Sequence, residues 1–532
     1  MRLLRNAGVV SALTLASRLL GLVREMFTAA YLGAGPVADT FFQALTIPNT
    51  FRRVLAEGAF NAAFVPLYAG ELEKHGKAEA DAFMREALSA LVTVTLIIVI
   101  AFQIAAPWLV YIFFPGAAGD PNLLALSALL MQLTMPYLLC MAVTALLSGA
   151  LNSHGKFAAA TASQLLFSVV LIAILAADRV EGEELARWLA MGVTVSGVAQ
   201  AGFLIIAARR GGLKVALRFP RLTPRVKRLV ALGIPGGIAA ATVQINVLVT
   251  SSIATLEAGA RSWLNYAERL YQLPLGVIGI AMGVALLPNL TRRLRAGDET
   301  GSAFALNRAI EVSLAFTLPA VAAFLIIPEF LISGLLERLA FTAADTAATA
   351  RVLIIFALGL PAFVLVKVLS PGFFAREDTR TPMAFSLVSV GLNFVLAITL
   401  FFGAPGFEGL GYVGLAIATT VAGWVQAILL GVTLARRGEF PVDRRLITRL
   451  PRLVLASAVM GAAVWTLVRY EASWASLVPL GGTTAQLLGL IFVIGAGAAA
   501  YALACVVTGA LKPSELRAAL RSRKGEAPQI ED

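Results

Sequence analysis

The stretch ADTFFQALTIPNTFRRVLAEGAFNAAFVPLY, residues 38–68, decides how this chain is read. It is apolar enough to lie in a membrane, yet it holds Asp39, Pro48, Arg52, Arg53 and Glu57. A proline inside a helix removes a backbone hydrogen bond and kinks the chain. In lipid such a break survives only where neighbouring protein or a water-lined cavity satisfies the freed groups. The stretch also has an echo: in LNYAERLYQLPL, residues 264–275, Asn265 precedes Pro274 by the same spacing as Asp39 precedes Pro48. Farther on, AAFVPL (62–67) is answered by VALLPN (284–289), at an offset shorter by about one helical turn. This weak repeat predicts two six-span halves, related by an axis along the membrane normal, with a cavity between them.

Composition agrees with a membrane chain. The 532 residues are 59% hydrophobic and 14% charged, with mean hydropathy +0.83, where soluble domains carry about 25% charged residues. A span needs about 20 apolar residues. Fourteen stretches qualify, from roughly 6–32 and 37–70, through 229–255, 262–290 and 304–336, to 450–469 and 485–511. The expected fold is an all-α polytopic membrane protein of about 14 transmembrane helices. Its parts are a six-helix lobe at 1–208, a basic linker at 209–228, a second six-helix lobe at 229–435, two additional helices at 436–511 and a tail at 512–532. Met1–Ala7 resembles the basic start of a signal peptide, but Arg18 and Arg24 interrupt the apolar run that follows. It reads as a retained first helix.

Charge placement sets the orientation. Loops on the side of the termini hold most of the Lys and Arg, including eight between Arg209 and Arg228, whereas the opposite loops hold Arg179, Arg187, Arg261, Arg338 and Arg469. The positive-inside rule then places both termini in the cytoplasm. The net charge of +12 is thus a topological signal, and no nucleic-acid partner is expected. The linker reads as a solvated segment with an interfacial turn against anionic lipid. Cys140 and Cys505 lie in apolar runs and His75 and His154 in polar loops, so no disulfide framework, metal site or histidine relay is expected. There is no P-loop, GxSxG or HExxH motif. The expectation is a non-enzyme without a cofactor.

Charges inside the spans carry the functional reading. Arg308, Arg351 and Lys367 lie near span ends and are expected to snorkel. Arg18, Arg24, Arg52, Arg53 and Arg269 concentrate in the first, second and eighth spans. A central arginine costs about 2.5–3.5 kcal/mol on insertion scales. Arg53 can pair with Glu57 at i,i+4, and Asp39 with a neighbour, but pairing does not account for five arginines in three spans. On an ideal helix Arg18 and Arg24 project about 120° apart and about 9 Å along the axis, so they reach different parts of a cavity. Excess arginine suits an anion, and the guanidinium fork suits phosphate oxygens. A carrier of organic cations needs an excess of carboxylates instead.

Three segments now stand together: SRLLGLVREMF (17–27), the 38–68 stretch and ERLYQLPLGVIGIAMGVALLPNLTRR (268–293). They resemble the MurJ (MviN) family of lipid II flippases, in the superfamily of MATE exporters and polysaccharide flippases. The resemblance covers essentially the whole chain. It implies movement of the lipid-linked peptidoglycan precursor to the outer leaflet of the bacterial inner membrane, in service of cell wall synthesis. It also implies two lobes around a cationic cavity, with the last two helices adding a groove for the polyprenyl tail. The family's essential arginines match Arg18, Arg24, Arg52 and Arg269, and its second-span acid matches Asp39. Where some members bind sodium through carboxylates, the seventh and eleventh spans offer Gln244, Asn246 and Asn393, which argues against that site here. The expected mechanism is alternating access, with the pyrophosphate among the four arginines. Asp39 is expected to meet an arginine in the substrate-free state, with Arg53 and Glu57 as a further ion pair. Expected partners are lipid II, membrane lipids and other cell wall synthesis proteins, with the chain working as a monomer. The alternatives are a flippase for another undecaprenyl-pyrophosphate-linked oligosaccharide, a MATE-like cation or drug antiporter, and a membrane glycosyltransferase, which the short outer loops disfavour.

Overall fold

The computed structural model describes residues 2–55, 61–177, 180–281, 286–471 and 482–510. The helices are α1 (Arg2–Leu32), α2 (Pro36–Phe51), α3 (Asn61–Phe113), α4 (Pro121–Thr134), α5 (Tyr137–Ser153), α6 (Phe157–Ala177), α7 (Gly182–Arg210), α8 (Pro224–Ala254) and α9 (Ala260–Ala281). They continue with α10 (Leu287–Arg295), α11 (Glu299–Ile326), α12 (Pro328–Leu336), α13 (Ala343–Phe374), α14 (Arg380–Phe402), α15 (Tyr412–Arg436), α16 (Arg444–Arg469) and α17 (Gly482–Val507). A two-residue antiparallel pair, β1 (Gly403–Ala404) and β2 (Phe407–Glu408), closes the turn after α14 with Gly403 opposite Glu408. Helix is the form that satisfies every backbone group within its own segment, which lipid demands.

Among the described residues, ten helices are long and apolar enough to cross a membrane, and the bent α8 adds an eleventh. The expected spans outside that set are the first, second and eighth, the ones that hold Arg18, Arg24, Arg52 and Arg269. α2 has only 16 residues, and α9 carries Arg261, Glu268 and Arg269. α2 ends at Phe51 and the backbone widens into a π-helical turn over 52–55, four residues past Pro48. The expected loop before the third span is helical on both sides of Gly76, whose non-helical backbone (φ 79°) kinks α3 there and joins two helices. Ala, Glu and Lys, all strong helix formers, dominate that polar stretch.

Contacts group the chain into two compact units. The first comprises Met1–Tyr266 with two short pieces, Leu336–Asp345 and Leu410–Leu415. Its core gathers Phe64, Tyr68, Phe83 and Met84 of α3 with Leu146 and Leu147 of α5 and Leu204 of α7. α1 packs on α6, and α8 on α2 and α3. The unit therefore runs on past the basic stretch 209–228, where the sequence suggested a division. The second unit comprises Ala267–Leu335, Thr346–Gly409 and Ala416–Asp532. Its core sets Leu360, Val364 and Phe373 of α13 against Leu430 and Leu434 of α15 and Leu306 and Ile310 of α11.

Within the second unit an ion network fixes α16 on α11. Arg449 Nη1 donates to Glu311 Oε1 at 2.5 Å, Arg445 Nε lies 3.5 Å from Glu311 Oε2, and Arg308 joins Glu311 to Asp443. Glu311 and Arg449 are buried. Arg308 thus does not snorkel: its head is held by two carboxylates and lies 5.2 Å over the Phe304 ring. Desolvated charges are tolerated only when matched in this way.

Candidate functional site

Asp39 sits in the first turn of α2 and is 3% exposed. Its Oδ2 accepts the Gly259 backbone N–H at 2.6 Å. Its Oδ1 accepts the Ser262 N–H at 2.8 Å and the Ser262 hydroxyl at 2.6 Å. Those donors form the start of α9, so Asp39 caps a helix from 220 residues away in the chain. A helix N-terminus has unpaired N–H groups and a partial positive charge, which favour a carboxylate. The acid expected to meet an arginine meets this first turn instead. Gly259 is required there: its φ is +88°, and a Cβ would lie 2.5 Å from the Trp263 ring.

Other groups close the same region of the first unit. Arg261 Nη2 donates to Thr46 Oγ1 at 2.8 Å. Tyr266 donates its hydroxyl to the Gly33 carbonyl at 3.0 Å, and its ring meets Phe42 and Phe341 edge-on. The Ala340 N–H donates to the Ala30 carbonyl at 2.9 Å, and Gly33 passes so close that a Cβ would lie 2.6 Å from the Ala340 oxygen. Two further carboxylates cap helix starts. Glu257 Oε2 accepts the Tyr412 N–H of α15 at 2.8 Å. Asp345 forms a capping box with Thr342 at the start of α13 and accepts Trp263 Nε1–H at 2.9 Å. All three acids lie at the span ends away from the basic loops.

Arg24 and Arg52 have local partners. Arg24 of α1 is buried, pairs with the neighbouring Glu25 at 2.5 Å and lies 4.8 Å over the Phe167 ring of α6. Neighbouring residues do not face each other on a helix, so sequence spacing offered no sign of this pair. Arg18 is half-buried on the same helix. Arg52 opens the π-helical turn, and its Nε donates to Asn49 Oδ1 at 3.2 Å. π-turns inside helices recur at functional sites. Arg53 beside it is exposed; Glu57, its expected partner, lies outside the described residues. Arg269 is exposed on the part of α9 that belongs to the second unit, next to Glu268, which accepts from Gln272 at 2.7 Å.

The second unit also holds a cavity of about 360 Å³ between α11, α16 and α17. Ala315, Phe316, Ala323, Met460, Val493 and Ile494 are among the apolar side chains that line it. The Tyr501 hydroxyl donates to the Ala315 carbonyl at 2.7 Å at one end. Small residues at Gly497 and Ala498 leave the space open.

The model of one protein family, described as lipid II flippase MurJ, matches residues 28–480. The chain belongs to this family. A probable lipid II flippase MurJ of Rhizobium meliloti (strain 1021) is 44% identical over 496 residues, covering 92% of each chain. The counterpart of Rhizobium tropici is 42% identical over 99% of this chain and 98% of its own. Among solved structures, a lipid II flippase MurJ in an inward closed conformation is similar with a TM-score of 0.74, at 24% identity, over 94% of this chain and 98% of that one. An inward-facing multidrug resistance MATE family transporter of the MOP superfamily follows at 0.64 and 15% identity, over 81% and 98%. The fold is thus shared with carriers of other cargo. The family is one of membrane transport for the cell wall.

Proposed function

We propose that this chain moves lipid II from the cytoplasmic to the outer leaflet of the bacterial inner membrane by alternating access, with both termini in the cytoplasm. Arg18, Arg24, Arg52 and Arg269 bind the pyrophosphate, and the apolar cavity between α11, α16 and α17 receives part of the polyprenyl tail. In this reading the two six-helix halves expected from the sequence, 1–208 and 229–435, provide the alternating access, and one chain suffices. Asp39 acts as the switch on the outer side: it holds the start of α9 while the outer side is closed and releases it when that side opens. Arg53 and Glu57 form an auxiliary ion pair. The observation that carries the reading is the family match over residues 28–480 together with the arginines gathered in the first, second and eighth spans. Phosphate oxygens accept from guanidinium forks bidentately. A MATE-like cation carrier has no use for that surplus of positive charge.

A flippase for another undecaprenyl-pyrophosphate glycan shares the same anion. Binding of purified protein to lipid II, in competition with a different undecaprenyl-pyrophosphate sugar, separates the two. Lipid II is expected to displace the other lipid with an advantage of about tenfold or more, the worth of one good charge-assisted hydrogen bond. Equal competition would assign the site to the shared pyrophosphate alone and leave the glycan unread.

A further inference from the structure

Between α7 and α8 the chain crosses residues 213–223 without helix or strand. Its ends are pinned. Leu213 is buried in the core of the first unit, with Val215 packed beside it. The Arg218 N–H donates to Ser89 Oγ at 2.9 Å. Thr223 donates its hydroxyl to Glu86 at 2.7 Å while capping α8. Arg225 donates to Glu79 at 2.7 Å, and that hydrogen bond holds the Glu79 carboxyl below its ordinary range, so the tie stays charged at neutral pH.

The side chains between these ties point away from the protein. Leu217 is 63% exposed, Phe219 83% and Leu222 74%. Lys214, Arg218 and Arg221 are exposed beside them. No acidic residue occurs anywhere from Ala208 to Arg228. A segment whose only neighbour is water gains nothing from three large apolar side chains held outward. The depth of the segment gives a second observation. Ser89, which takes the Arg218 N–H, lies five residues inside the expected third span, about 7–8 Å along the helix axis. Farther along that helix Val94, Leu96 and Ile97 are exposed, as lipid-facing side chains are. The segment therefore runs at headgroup depth.

We propose that residues 214–222 are an interfacial anchor for anionic phospholipid. Leu217, Phe219 and Leu222 enter the acyl boundary, and Lys214, Arg218 and Arg221 bind headgroup phosphates. Apolar side chains interleaved with cations are the chemistry that an anionic bilayer surface takes up. The assignment goes beyond lipid II transport and does not rest on it. It places a lipid-sensitive contact on the segment that joins α7 to α8.

The test uses the full chain in nanodiscs, with Cys140 and Cys505 replaced by alanine and a nitroxide on Leu222→Cys, so that Phe219 stays in place. Accessibility of the label to oxygen, which concentrates in lipid, is compared with accessibility to a water-soluble nickel chelate. With phosphatidylglycerol present the label is expected in the oxygen-accessible zone. Each cation near an anionic surface is worth roughly a fivefold gain in association, so the K214Q/R218Q/R221Q triple variant should lose about a hundredfold and move the label toward water. Nickel accessibility in every lipid would overturn the proposal and leave the patch to a soluble partner. Lipid burial that ignores both phosphatidylglycerol and the three cations would overturn its anionic part. An unchanged melting temperature of the triple variant excludes misfolding as the cause of a shift.

Discussion

Arg24→Ala is expected to abolish the ability of this chain to sustain a bacterium depleted of its own lipid II flippase. Arg24 is buried, paired with Glu25 at 2.5 Å and stacked over Phe167, so the alanine variant has two effects. It removes a phosphate ligand, and it takes from buried Glu25 the guanidinium that pairs with it. Losing one member of a buried charge pair costs about 3–5 kcal/mol, enough to act through folding alone. The R24A/E25A double variant separates the two, because it takes out both charges and recovers the stability while leaving no cation for substrate. It is expected to reach wild-type abundance in the membrane and still fail to support growth. Arg24→Lys keeps the charge without the fork and should fall between. Full growth with the double variant would show that Arg24 serves only Glu25.

Asp39→Ala is expected to open the outer side. The substitution strands the Gly259 and Ser262 N–H groups and the Ser262 hydroxyl, which now have one buried carboxylate as acceptor. Each orphaned buried donor costs about 1–3 kcal/mol. A loss of about 3 kcal/mol shifts a two-state equilibrium by roughly a hundredfold. Thr40 beside Asp39 is 3% exposed and serves as reporter. In a Cys-free background, Thr40→Cys should label slowly with a membrane-impermeant maleimide, and many times faster once Asp39 is alanine. Asp39→Asn keeps one acceptor oxygen and should label at an intermediate rate. Identical labelling in all three would show that the α9 cap does not govern closure. Translocation should fall along with the change, since a carrier held open on one side cannot cycle.

The sequence made the membrane class and the helical character legible because both follow from bulk properties, namely long apolar runs and a surplus of Lys and Arg in alternate loops. It also pointed to the arginines, since a charge in lipid is costly wherever it sits. Partners were harder to read. Glu25 was visible as an acid in the first span, but adjacent helix positions diverge, so its pairing with Arg24 depends on side-chain reach and on the Phe167 face. Asp39 was singled out, while its acceptor role at Gly259 and Ser262 was not, because no local pattern signals a cap donated from another part of the chain. Arg308 looked like a snorkelling end residue; its carboxylate partners, Glu311 and Asp443, are brought to it by the packing of α16 on α11. The helical form on both sides of Gly76 is hard to read for the opposite reason: a polar stretch reads as a loop even when its residues favour helix.

Transfer of labelled lipid II across the bilayer of proteoliposomes holding the purified full chain tests the central claim most directly. Label exposed on the far leaflet should rise with the wild-type chain and fall to the level of empty vesicles with Arg18→Ala, Arg24→Ala, Arg52→Ala or Arg269→Ala. Transfer by these variants at the wild-type rate would contradict a pyrophosphate held by arginines, and absence of transfer by the wild-type chain would contradict the proposed flippase activity itself.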